Sequence, residues 1–318
     1  MKRRRSPLDL LARQARVLHR HLPGAVEGDD RALHRSRVAS RRLREALPVV
    51  GPDVAERQSA KTRRKMRRLT RALGSVRELD VALALIDEYA ERPGGASAQP
   101  IADVRAHLLA ERDRMRTVML ERLHAMDLAT LERRLAGVIA RVSDPEASAS
   151  DAWRTRLASR VASRAKRLEA RVDEAGAMYA PEALHAVRIG VKKLRYALEF
   201  ARETDAAETA AEIRLLKRVQ NALGRLHDLQ ILARAVGDMA ARPRPRAAVP
   251  DIGLESLARS IEEDCRRLHA RYVALVPRLR ATIEAVRGRI VASIGTSSRP
   301  RPARMSLPPL RRAAGDRH

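Results

Sequence analysis

Apolar residues recur at three- and four-residue intervals through most of the chain, and the pattern breaks only at short runs of Pro, Gly and Asp. The periodicity predicts a first helix ending at Pro23-Gly24. A second starts at Asp29 or Asp30, either of which can cap it, and is closed by Pro48, Gly51 and Pro52. A basic helix then reaches Leu73-Gly74, "SVRELDVALALIDEYAER" forms another, and long helices are expected over about 100–126 and 128–142. The stretch 143–150, "SDPEASAS", reads as a linker. Beyond it the periodicity predicts helices over 153–174, after Pro181, over "AAEIRLLKRVQNALG", over "RLHDLQILARAVGDM" and from about Ile252, with a Pro/Arg loop before the last. No segment alternates as a strand would, so the expected class is all-α.

Two of these helices repeat each other. "LHRSRVASRRLREAL" (33–47) aligns without a gap on "LHAVRIGVKKLRYAL" (184–198), and His34, Arg37, Leu43, Arg44 and Leu47 meet identical residues. Arg41 and Arg42 meet Lys192 and Lys193. A second pair, 67–85 with 217–235, recurs in the same order about 150 residues later, matching Leu73-Gly74 to Leu223-Gly224 and Glu78 to Asp228. Polar positions match as well as apolar ones, which a generic amphipathic helix does not require. This predicts an internal duplication: one domain over 1–295 in halves 1–145 and 150–295, two pseudo-symmetric antiparallel helical bundles, then a disordered basic tail over 296–318.

Placed on a helix at ~100° per residue, His34, Arg37, Arg41 and Arg44 share one arc, opposite Leu33, Ser36, Leu43 and Leu47. His185, Arg188, Lys192 and Arg195 share the corresponding arc of the second copy, and Arg42 and Lys193 flank the two stripes. The next helix in each half adds Lys61, Arg64, Lys65 and Arg68, and Arg214, Lys217, Arg218 and Arg225. Like charges three and four residues apart destabilise a helix by some tenths of a kcal/mol per pair. Stripes without interleaved carboxylates therefore suggest a ligand of opposite charge.

Composition agrees with this reading. The 318 residues hold 65 Lys+Arg against 39 Asp+Glu, a formal charge of +26 that attracts polyanions. Arginine outnumbers lysine, which suits bidentate phosphate contacts, although a biased base composition gives the same ratio. Aromatics are 2% of the chain, too few for a stacking surface. The lone Cys265 excludes a disulfide framework and a Cys-rich metal site. No secretory signal and no run near the ~20 apolar residues of a membrane span is legible, so a cytoplasmic location and no membrane partner are expected.

The histidines heading the two stripes can donate to phosphate oxygens, and affinity is expected to rise as pH falls through their range. Glu78, Asp80 and Asp228 follow the Leu-Gly pair at an expected helix start and are read as ion-pair partners of the motif arginines.

By the two His-x-x-Arg-x-x-x-[Arg/Lys]-[Arg/Lys]-Leu-Arg motifs at 34–44 and 185–195, and the Leu-Gly segments at 73–79 and 223–229, the chain resembles CHAD domains, the conserved histidine α-helical domain. The resemblance spans roughly 5–290. It implies two helical bundles about a basic central cavity, binding of inorganic polyphosphate, and location at polyphosphate granules among other granule-associated proteins. Where the family carries an Arg-Asp-x-Asp-like segment, the first half reads Arg77-Glu78-Leu79-Asp80 and the second His227-Asp228-Leu229-Gln230. No Glu-x-Glu-x-Lys segment of the fused triphosphate-tunnel domain found in many relatives is present.

The function expected is therefore non-enzymatic polyphosphate binding, with no cofactor, no catalytic residue and no metal ligand. A duplex nucleic-acid binder held by phosphate contacts is the alternative, without a zinc-finger spacing or a clear recognition module to carry it. A phosphoanhydride enzyme would want Mg²⁺-holding carboxylates and often a phosphate loop. Glu262, Glu263 and Asp264 instead spread around a helix, and no Gly-x-x-x-x-Gly-Lys-[Ser/Thr] occurs.

Overall fold

The structure is a computed structural model, and it describes residues 7–50, 56–92, 98–142, 152–241 and 252–296. Those residues form helices and the turns between them, with no strand. In the first half α1 is Pro7–Glu27, α2 Asp30–Val50, α3 Glu56–Ala72, α4 Ser75–Ala90, α5 Ala98–His124 and α6 Leu128–Val142. In the second, α7 is Ala152–Ala175, α8 Pro181–Glu203, α9 Ala210–Ala240 and α10 Ile252–Ala285. A π-helical turn, Val286–Ile290, leads into α11, Val291–Thr296. The expected linker and the basic tail lie outside the described residues.

The motif helices α2 and α8 each pack on the helix before them, α2 on α1 and α8 on α7, and α2 also touches α7 and α8. α9 lies against α8, α10 and α4. One hydrophobic cluster continues through both halves, from Leu11, Leu18, Leu43 and Leu47 to Val161, Leu168, Leu194 and Leu216. Leu33, Ser36, Leu43 and Leu47, opposite the first basic stripe, are buried, as are Val187, Gly190, Leu194 and Leu198 in the second motif helix, so the predicted split between apolar and basic arcs holds. At Gly190 the helices come very close: a Cβ there would lie 2.9 Å from Leu168 Cδ1.

The ends of α1 and α8 are set by the same device. Asp29 N–H donates to Gly24 O at 2.8 Å and Gly28 N–H to Ala25 O at 3.3 Å, with Gly28 at φ +90°. Ala206 N–H donates to Ala201 O at 2.8 Å and Asp205 N–H to Arg202 O at 3.1 Å, with Asp205 at φ +49°. Both are Schellman closures around a left-handed residue. The Asp29 carboxylate then caps α2, accepting from Arg31 N–H at 2.7 Å and Ala32 N–H at 3.1 Å.

Three expected breaks differ. Pro23-Gly24 does not end α1: burial of Leu22 and Ala25 carries the helix to the Gly28 closure. α2 runs past Pro48 to Val50, with Val49 and Val50 buried, while Gly51 and Pro52 lie outside the described residues. Leu73-Gly74 does separate α3 from α4, but Leu223-Gly224 sits inside the unbroken 31-residue α9. There the buried Leu223, Leu226 and Leu229 outweigh the ~1 kcal/mol helix penalty of one glycine.

Candidate polyanion site

α2 and α8 bring the heads of the two basic stripes into one electrostatic neighbourhood. Lys192, on α8, is pushed down to about 8 by burial and then by the positive charges of Arg188, Arg41 and Arg37, two of which belong to α2. Burial, Arg41 and Arg77 likewise lower Arg37. The guanidinium of Arg41 lies 5.0 Å from the Tyr196 ring centre and that of Arg195 4.4 Å, so one tyrosine of α8 carries a cation from each motif helix.

The histidines sit at the edge of this cluster. Partial desolvation, then Arg77, Arg37 and Arg41, hold His34 below its ordinary range. His185 is lowered by burial, Arg188 and Lys192, and its Nδ1 lies 3.3 Å from Nδ1 of His227. His227 itself is pushed to about 4 by burial, Arg188, His185 and Lys192. All three shifts favour the neutral imidazole, which carries one N–H donor, and within the His185–His227 pair one of these donors is directed at the neighbouring Nδ1.

Two guanidinium donors in the cluster have no acceptor among the described residues. Nη1 of Arg37 and Nε of Arg188 are buried and lack a hydrogen-bond partner there. The two arginines occupy the same position of the repeated motif. Buried guanidinium N–H groups are ordinarily satisfied, because leaving one unmade costs ~1–3 kcal/mol or more. The concentration of cations also opposes itself by Coulomb repulsion in a partly desolvated setting.

The acidic residues take roles other than those expected. Asp80 accepts from Arg112 Nε at 2.7 Å, on α5 rather than on a motif helix. Glu78 and Asp228 make no ion pair among the described residues; they act at longer range, and burial raises Asp228 above the usual carboxylate range. Asp228 lies mid-helix in α9, not at a helix start. A carboxylate buried against a cation cluster without contact leaves the arginine donors free for another anion.

Not all predicted site residues gather here. Arg195 is held by Gln220 Oε1 at 2.8 Å and by Glu199. Arg225 is clamped by Glu88 of α4. Lys65 pairs with Asp127 at 3.5 Å and borders a small recess with Arg68. Lys61, Arg214 and Arg218 are exposed on outer faces. Arg42 and Lys217 line a cleft that also holds Glu199 and Glu203, whereas Arg44, Arg64 and Lys193 open onto another cleft. Periodicity placed all of these on polar arcs correctly, yet only packing decides which polar arcs face each other.

Sequence reasoning passed over Arg77 and His227 as binding groups, although they occupy matched positions in the second repeat pair. It also passed over α7, where Arg160, Arg164, Arg167 and Arg171 recur at helical spacing. The same stripe criterion applied to 152–175 would have found them.

The family model described as CHAD domain matches residues 9–237. Comparison with curated proteins gives no match. Among solved structures, the CHAD domain from the plant Ricinus communis is similar at 23% identity and TM-score 0.57, covering 87% of this chain and 90% of that one. PptA from Streptomyces chartreusis is similar at 19% identity and TM-score 0.53, covering 88% and 97%. These likenesses concern the fold. Among the described residues no helix is long and apolar enough to cross a membrane, and no group of three or more His, Cys, Asp or Glu is arranged to hold a metal ion.

Proposed function

We propose that this chain, which belongs to the CHAD domain family, binds inorganic polyphosphate between its motif helices without transforming it. The observation that carries the reading is the pair of unsatisfied, buried guanidinium donors on Arg37 and Arg188. A phosphate oxygen accepts such donors, neutralises the surrounding cations and restores the hydrogen bonds that the cluster lacks. Arg41 and Lys192 supply further charge, and the neutral imidazoles of His34 and His185 donate from the edge. The family's association with polyphosphate favours this polymer over other polyanions, as does the absence of an aromatic stacking surface for bases. Recruitment to polyphosphate granules follows from the same affinity.

Competition between long-chain polyphosphate and duplex DNA over a salt series tests the proposal. Wild type is compared with the double variant Arg37→Gln/Arg188→Gln, its helicity checked by circular dichroism. Preference for polyphosphate is expected in the wild type and collapses in the variant, while the polymer recovered afterwards keeps its chain length. Equal binding of both polymers, unchanged by the substitutions, assigns binding to the general +26 charge and overturns the reading.

A further inference from the structure

A second cleft, of about 570 Å³, opens where α2, α3, α7 and α8 meet. Nine basic side chains line it against one carboxylate, Glu45. α3 contributes Arg63, Arg64 and Arg67, and α7 contributes Arg160, Arg164, Arg167 and Arg171. Arg44 and Lys193, from the motif helices, complete the wall.

Glu45 is already committed. It pairs with Arg160 at 3.3 Å and with Arg164, whose Nη1 also donates to Lys193 O at 2.7 Å. Arg171 donates to Ala186 O at 3.1 Å. These bonds fix the back of the cleft to the α7–α8 packing. No carboxylate among the described residues pairs with Arg63, Arg64, Arg67, Arg167, Arg44 or Lys193. Nε of Arg160 is buried and has no acceptor. Burial, together with Arg171, Arg164 and Arg44, lowers Lys193.

Arginine bias alone does not produce this arrangement, as the matching cleft shows. At a spacing of 150 residues the buried Leu11, Leu18, Leu22 and Ala25 of α1 match the buried Val161, Leu168, Val172 and Ala175 of α7, which sets Leu10 and Gln14 against Arg160 and Arg164, and in the motif alignment Arg42 meets Lys193. Gln14 and Arg164 are both buried polar residues, 6% and 7% exposed. Leu10, Gln14 and Arg42 line a smaller cleft of about 300 Å³, where four cations face three carboxylates. Equivalent places in one chain, made from one composition, are thus near-neutral on one side and strongly cationic on the other.

We propose that the cleft between α3 and α7 is a second anion site, separate from the cluster around Arg37 and Arg188, that takes a compact run of phosphoryl groups. Its volume falls in the ~300–1,000 Å³ range of small-ligand sites, and its donors converge on one concavity from four helices. The ligand chemistry is oligophosphate. Its source is either a free short polyphosphate or an end of the polymer held between the motif helices.

Calorimetric titration of the full chain with tripolyphosphate tests the site. The cleft variant is Arg63→Gln/Arg167→Gln, whose arginines pair with no carboxylate among the described residues, and its helicity is checked by circular dichroism. Arg259→Gln/Arg271→Gln, exposed on α10, is the control with the same change in charge. The expected result is a tenfold or greater loss of tripolyphosphate affinity in the cleft variant, with the control within twofold of wild type. Equal effects from both variants, or from neither, overturn the proposal. Repeating the titration on protein saturated with long-chain polyphosphate separates the sources. Undiminished binding identifies a free oligophosphate site, and exclusion identifies an extension of the polymer's path. Because the cleft variant leaves Arg37 and Arg188 intact, failure here is distinguishable from failure of polyphosphate binding at the motif helices.

Discussion

Nδ1 of His185 lies 3.3 Å from Nδ1 of His227, and neither ring pairs with a carboxylate among the described residues. Both are pressed toward the neutral form by burial and by Arg188 and Lys192, with Arg234 also acting on His227. In the unfolded chain His227 takes a proton near its ordinary value of 6.5, but folded it does so near 4. Between those values the unfolded state binds more protons, so stability falls as pH drops from about 6.5 to about 4. After allowance for solvent screening the loss amounts to about 1–2 kcal/mol. Urea midpoints measured over this window are expected to show that decline, flattened in His227→Gln. Bound polyphosphate is expected to reverse it, since anionic charge favours the protonated rings.

Lys192 gives a second window. Its value of about 8 in the free protein rises toward 10.5 when polyanion is bound. Above pH 8 binding must take up a proton, so polyphosphate affinity declines from pH 8 to pH 10 while remaining insensitive to this group below pH 8. Dissociation constants at pH 7, 8 and 9 should show the drop. Lys192→Arg, which keeps its charge, is expected to remove it; persistence of the drop in that variant would assign it elsewhere.

Arg37 and Arg188 are expected to separate affinity from stability. Each charge-assisted hydrogen bond to phosphate contributes ~1.5–3 kcal/mol, so Arg37→Met lowers polyphosphate affinity roughly ten- to hundredfold. The same change removes a poorly satisfied buried cation and raises stability of the free protein by ~1 kcal/mol. Thermal denaturation beside binding measurements checks both signs. Loss of stability in Arg37→Met would mean that the guanidinium is structural.

Glu45 behaves in the opposite way. Among the described residues it is the carboxylate that pairs with both Arg160 and Arg164, and Arg164 is 7% exposed. Glu45→Ala leaves a buried guanidinium without its counter-charge and is expected to cost ~3 kcal/mol of stability. Chemical denaturation measures this directly; a change under 1 kcal/mol would show that the Lys193 carbonyl alone satisfies Arg164.

Much of the fold was legible in the chain because helical amphipathicity is local. The spacing of Leu33, Leu43 and Leu47 predicts which arc of α2 is buried, and the matched Leu184, Leu194 and Leu198 do so for α8. Helix ends were less legible. Pro23 and Gly224 look like breaks locally, yet neighbouring buried leucines keep α1 and α9 continuous. The candidate site divided in the same way: His34, Arg37, Arg41, Arg188 and Lys192 were named from the repeat, while Arg77, His227 and the arginines of α7 were not.

Composition and local spacing suffice for the all-helical class, the family motifs, the basic arcs and the excess of cations, since each depends on residue content or on residues within a few turns of one another. Which of those cations are spent on neighbours, and which remain open, follows from helix packing. Arg225 and Lys65 meet carboxylates more than sixty residues away along the chain, Glu88 and Asp127, whereas no carboxylate among the described residues pairs with Arg37 or Arg188. Charge partners depend on which helices pack, and that is fixed by the shape of the buried faces rather than by the polar arcs themselves.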